Sequence, residues 1–193
     1  MQTDGPLEQA FADHYERGQK ARLSGDFAGA LTEYGAALKV KDAAKAHIKR
    51  GDVFVILARE DEAIVEYQAA AKAGDTVEIE LKIGKAYQLK KEFPNAIDAY
   101  EKAFKLDPKD PFVQDALVSA WEVVVRGSFR DPMSHIGLGK AYERRGDFGQ
   151  AELEYTQARD LHPGAPGVLA NKMLKELAAA RAQAKAKAAA SQK

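Results

Sequence analysis

Apolar residues along this chain fall three and four positions apart in short stripes, and the stripes come in pairs separated by a polar break. The run Ala30-Leu31, Tyr34, Ala37-Leu38 is one such stripe, and its spacing places these side chains on one face of a helix. A second kind of stripe lies upstream of a break: Leu81, Ile83-Gly84, Tyr87 in one copy and Ile136, Leu138-Gly139, Tyr142 in another. The breaks read as Ser24-Gly25-Asp26, Arg59-Glu60-Asp61, Lys91-Glu92-Phe93-Pro94 and Arg145-Gly146-Asp147. Pro94 falls in the first turn of its helix, where a missing N–H costs nothing. The pattern predicts helix, tight turn, helix, four times over.

The pairs are copies of one unit. Gly18, Gly51, Gly84 and Gly139 are each followed at fixed distances by an alanine (Ala30, Ala63, Ala96, Ala151), a tyrosine (Tyr34, Tyr67, Tyr100, Tyr155) and a second alanine (Ala37, Ala70, Ala103, Ala158). Small residues at fixed points let two helix backbones approach, and the tyrosine fills the space beside them. A unit of this length cannot bury its apolar face alone and must stack on a neighbour.

These columns resemble the tetratricopeptide repeat. The third and fourth units carry most of the likeness, through Ile83-Gly84, Tyr87, Ala96, Tyr100, Ala103, Pro108 and Leu138-Gly139, Tyr142, Ala151, Tyr155, Ala158, Pro163. The first two depart from it, with Arg17 and Arg50 in the leucine column and Ala21 and Phe54 in the tyrosine column. The resemblance implies an all-α fold of helical hairpins stacked as a right-handed solenoid with a C-terminal capping helix. It divides the chain into a flexible N-terminus (1–10), three units (11–43, 44–76, 77–110), an extra helix and break (111–131), a fourth unit (132–165), a capping helix (166–178) and a basic tail (179–193).

The extra segment interrupts the regular step. Phe112-Val113, Ala116-Leu117, Ala120-Trp121 and Val123-Val124-Val125 form one amphipathic stripe with the chain's one tryptophan, and Gly127 to Pro132 break it. It reads as the first helix of a unit with no second helix. The short break favours a following helix, Pro132–Arg145, that runs antiparallel to it and inverts the stacking phase. The alternative is a three-unit domain ended by the Trp121 helix, with a smaller module behind it.

Composition adds limits. The chain has 193 residues, 30% of them charged, and no cysteine, which excludes disulfides and thiolate chemistry. Its formal net charge is +0, yet from Gly167 onward Lys172, Lys175, Arg181, Lys185, Lys187 and Lys193 face Glu176 alone. Without an aromatic residue to stack a base, that tail reads as a solubilising end, and no nucleic-acid partner is expected. No apolar run reaches membrane-spanning length, and the chain as given carries no signal peptide, so a cytoplasmic location is expected.

Candidate chemistry is sparse. His14, His47 and His135 each lie four residues before a repeat glycine, with Glu80 in that place in the third unit. Successive helices pack about 10 Å apart, so histidines one unit apart are too distant to share a metal, and no metal or other cofactor is expected. Gly137-Leu138-Gly139-Lys140 lacks the upstream glycine and the Ser or Thr of a phosphate loop. No nucleophile has a base beside it, and the chain is expected not to be an enzyme.

What remains is a surface. The resemblance implies a concave groove lined by first helices, which holds an extended peptide or a partner helix of another protein. The groove residues expected on this count are Tyr15, Gln19, Lys45, Ile48, Lys49, Asp52, Leu81, Lys82 and Lys85, an apolar line flanked by lysines. Family members that clamp a C-terminal carboxylate use Lys, Asn and Arg at places taken here by Tyr15, Gln19, Lys49, Glu78 and Lys82. Only Lys82 keeps the charge there, which argues against a heat-shock co-chaperone role. The expected function is an interaction scaffold or adaptor; the alternative is a self-assembling structural protein whose array ends form homo-oligomers.

Overall fold

Four turns in this protein share one backbone conformation. In the computed structural model, which describes residues 4–190, Gly25, Ala58, Lys91 and Gly146 all have positive φ, at 82°, 53°, 61° and 90°. After each, the next N–H reaches back to the carbonyl five residues earlier: Asp26 to Ala21, Arg59 to Phe54, Glu92 to Tyr87 and Asp147 to Tyr142, all at 2.9 Å. This left-handed closure satisfies the last carbonyls of one helix and starts the next. The second break therefore centres on Ala58, and Glu60 and Asp61, which the sequence pattern assigned to it, are the first turn of a helix. Their carboxylates are favourable there, next to free N–H groups.

Ten helices occur among the described residues, with no strand: α1 Asp4–Leu23, α2 Phe27–Val40, α3 Ala44–Ile56, α4 Glu60–Ala73, α5 Val77–Leu89, α6 Phe93–Leu106, α7 Pro111–Gly127, α8 Pro132–Arg145, α9 Phe148–Leu161 and α10 Ala165–Ala190. Residues 4–10, expected as a loose N-terminus, are helical and belong to α1. The basic tail continues α10 as far as Ala190. Residues 1–3 and 191–193, the ends of the two expected tails, lie outside the described residues.

The chain divides into two compact units, Met1–Asp107 and Pro108–Lys193. In the first, α1/α2, α3/α4 and α5/α6 are antiparallel hairpins, and each second helix also packs on the first helix of the next hairpin. The glycine and tyrosine columns explain the closeness. A Cβ added to Gly18, Gly51 or Gly84 would lie 2.7, 2.6 or 2.3 Å from the ring of Tyr34, Tyr67 or Tyr100. No side chain fits at that distance, so the ring packs directly on the neighbouring backbone. Phe54, Ala63, Ile64, Tyr67, Ile79 and Ile83 form a core that joins the second and third hairpins.

In the second unit the α8/α9 hairpin repeats this design, with Gly139 against Tyr155. The amphipathic start of α10 closes its open side, where Ala170 and Leu177 join Ile136, Ala151, Tyr155 and Ala158. Helix α7 packs on α8. Asp115 pairs with Arg145 at 3.1 Å, Tyr142 donates to Glu122 at 2.8 Å, and Trp121 lies over Gly137. Lower numbers on α7 meet higher numbers on α8, so the two run antiparallel.

These contacts correct the reading of α7. Asp61 to Lys90, Gln68 to Tyr87 and Tyr67 to Lys82 are the matching contacts between α4, a second helix, and α5, the next first helix. Helix α7 thus stands to α8 as α4 stands to α5. It is a second helix without a first one, and Trp121 takes the tyrosine column. Gly137 occupies the column of Lys82, and its missing side chain makes room for the indole.

Candidate functional site

The histidine column is structural. His14, His47 and His135 each place Nδ1 beside a carboxylate on the partner helix of their own hairpin: Glu33 at 2.7 Å, Glu66 at 2.6 Å and Glu154 at 2.7 Å. His135 is wholly buried, and its Nε2 donates to the Phe129 carbonyl at 2.8 Å. Each pair ties the two helices of one hairpin together. Among the described residues there is no group of three or more His, Cys, Asp or Glu able to hold a metal ion.

The expected groove residues divide into two groups. Near the N-terminus, Tyr15 is half-buried, its ring 5.9 Å from Phe11 and 5.7 Å from Tyr34. The Lys45 ammonium sits over both Phe11 and Tyr15, at 4.9 and 5.1 Å from the ring centres. Burial, and to a lesser degree the negative charge of Asp52, raise the pKa of the Tyr15 hydroxyl, so Tyr15 stays neutral.

The second group surrounds Asp52. Its Oδ1 accepts from the Tyr67 hydroxyl at 2.8 Å and from Lys82 at 2.7 Å, while Lys49 lies 3.7 Å from its other oxygen. Glu78 stands 4.0 Å from Lys82 on the far side. Lys82 is therefore not the open cation that the sequence suggested. Two carboxylates in the same chain neutralise it, and its ammonium sits over the Tyr67 ring, 5.8 Å from the ring centre. Desolvation first, then Asp52, push the pKa of the Tyr67 hydroxyl far above its ordinary value.

Ile48 and Leu81 are half-buried, and Ile48 packs on the core between the second and third hairpins. Lys85 is exposed, and Gln19 is half-buried. A depression of about 220 Å³ opens between α3 and α5, with Asp52, Tyr67, Lys82 and Lys85 around it and Ile56 and Leu89 at its edge.

Sequence reasoning missed the most exposed apolar side chains here. Leu23, Ile56 and Leu89 occupy one column, near the C-terminal ends of α1, α3 and α5, and are 75%, 51% and 49% exposed. The signal was available, since all three lie five residues after a repeat glycine. It was passed over because they lie next to the turns, where the stripe of buried residues has already ended.

Comparison with known proteins agrees with this geometry. A family profile described as tetratricopeptide repeat matches residues 81–110, the third hairpin. No curated protein sequence matches the chain. Among solved structures, the MamA protein superposes with a TM-score of 0.53 at 21% identity, over 80% of this chain and 92% of that one. The Arabidopsis OM64 TPR domain gives 0.52 at 20% identity, over 57% of this chain and 93% of its own. The first TPR of Spaghetti (RPAP3), bound to the HSP90 peptide SRMEEVD, gives 0.56 at 16% identity, over 61% and 94%. These likenesses concern the fold. With the glycine–tyrosine columns and the left-handed turn common to the four hairpins, they show a fold of the tetratricopeptide-repeat type, whose third hairpin matches the repeat's own profile.

Proposed function

We propose that this protein is a non-enzymatic interaction scaffold, and that the first-helix face of its first unit holds a peptide or amphipathic helix of another protein. The observation that carries the reading is the column Leu23, Ile56, Leu89. Three large apolar side chains, repeated at one position on three successive first helices and left in water, form a row that a partner's apolar face would cover. Lys85 and the paired Asp52 and Lys82 lie beside that row and supply polar contacts that set register. Tyr15, Gln19, Lys45 and Lys49 extend the same proposed face.

Binding of the HSP90 peptide is a property of the Spaghetti domain. In this chain Asp52 and Glu78 already neutralise Lys82, so a terminal carboxylate would find no open cation at that place. The partner we propose is recognised by apolar side chains on one face, with polar contacts at its edges.

Site-specific photocrosslinking in the native cell tests this. A photoreactive residue at Ile56 or Leu89 should capture one protein in common, whereas one at Val65, exposed on the second helix α4, should not. Capture of a second copy of this chain from Ile56 and Leu89 would instead support the self-assembling alternative. Equal capture from all three positions would overturn the proposed face.

A further inference from the structure

The third hairpin lacks the histidine–glutamate pair of the other three. Glu80 stands in the histidine column on α5, and Ala99 on α6 stands where Glu33, Glu66 and Glu154 stand elsewhere. The matching depressions of the first and second hairpins, which keep the pair, are about 390 and 340 Å³. A cavity of about 540 Å³ opens among α4, α5 and α6, lined in part by Asp75, Glu80, Ile83, Tyr87, Asp98 and Ala99. Glu80 is only 2% exposed, and its Oε2 has no hydrogen-bond partner. Its Oε1 meets a single cation, Lys102 at 3.4 Å, a side chain largely in solvent, and the Asp75 carboxyl stands beside it.

A buried carboxylate oxygen with no donor is costly, and a native protein retains one where something else supplies the donor. We propose that this cavity binds a guanidinium group, the arginine side chain of a partner protein, as a second site distinct from the first-helix face. Glu80, Asp75 and Asp98 put three carboxylates, from α5, the loop before it and α6, around one opening that Lys72 and Lys102 also line, so acid exceeds base there by one. A planar fork of five N–H donors can serve several such acceptors at once, which a point-like ammonium cannot. Ile83 and Ala99 give the weakly hydrated faces of the guanidinium an apolar bed, and the Tyr87 ring stands at the same wall. The bound cation would take the place that the other hairpins fill with their own histidine.

Titrating the full chain with acetyl-Ala-Arg-Ala-amide, followed by amide chemical shifts, tests this against the same peptide with citrulline, the neutral isostere. Saturable shifts centred on Ile83, Tyr87 and Ala99, with the arginine peptide at least ten-fold tighter, are expected. Glu80→Gln should weaken binding at least ten-fold. Glu80→His with Ala99→Glu, which installs the pair of the other hairpins, should abolish binding and keep the melting temperature. If that double variant fails to fold, Ala99→Gln, which fills the cavity and leaves Glu80 in place, should abolish binding instead. Leu89→Asp, on the first-helix face, should leave the arginine affinity unchanged. Equal affinity for the arginine and citrulline peptides, shifts located elsewhere, or undiminished binding in the cavity-filling variants would overturn the proposal.

Discussion

Ala58 and Lys91 hold a left-handed backbone at the position where the first and fourth turns have glycine. For a residue with a Cβ that conformation costs roughly 1–2 kcal/mol, and glycine returns part of the saving as extra freedom in the unfolded chain. Ala58→Gly and Lys91→Gly should each stabilise the protein by about 0.5–1 kcal/mol in denaturant melts. Destabilisation by either would mean that the four turns do not share one conformation. Glu80 supplies a pH prediction at the same scale. Burial raises its pKa from the ordinary 4.5, the nearby Asp75 adds to this, and Lys102 opposes it. A carboxyl whose folded pKa is raised favours the folded state most when protonated. Its contribution is full below the unfolded value and is lost as pH rises from about 4.5 through the folded value. Glu80→Gln should flatten this decline while Asp75, Asp98, Lys72 and Lys102 around the cavity stay as they are; an unchanged pH profile would contradict it.

At the scale of the element, α7 shows what the sequence made legible and what it did not. Its existence, its extent and the break after it could be read from the apolar stripe and Gly127, because helix periodicity and its interruption are local signals. Its role could not. A first and a second helix differ by which neighbour each side packs on, and the telling contacts, Asp115 to Arg145 and Trp121 to Gly137, join residues far apart in sequence. The second turn was misplaced for a related reason, since Ala58 carries no compositional mark of a turn while charged residues beside it do. The packing makes a prediction. A Cβ on Gly137 would lie 2.5 Å from the Trp121 ring, so Gly137→Val should destabilise by about 1–3 kcal/mol and shift Trp121 emission to longer wavelength. Wild-type emission should be blue-shifted relative to free tryptophan. An unchanged spectrum and melt in Gly137→Val would contradict the placement of α7 on α8.

At the scale of the molecule, the repeat carried the fold, because every column of glycine, alanine and tyrosine answers to one packing need repeated four times. The candidate site was less legible. Lys82 reads from the sequence as an open cation, and only the fold brings Asp52 from another hairpin to within 2.7 Å of it. Ile48 reads as a groove residue yet packs on the core, so charging it would damage the fold rather than test the surface. The row Leu23, Ile56, Leu89 is free of both problems, since its side chains are apolar and exposed and none of them belongs to the buried core. The most direct test of the scaffold reading is the dissociation constant of the crosslinked partner, once purified, for the wild-type chain and for Ile56→Asp with Leu89→Asp. The account predicts at least hundred-fold weaker binding with an unchanged melting temperature, while Val65→Asp with Leu153→Asp binds as the wild type does. Full affinity in the Ile56→Asp, Leu89→Asp chain would contradict it.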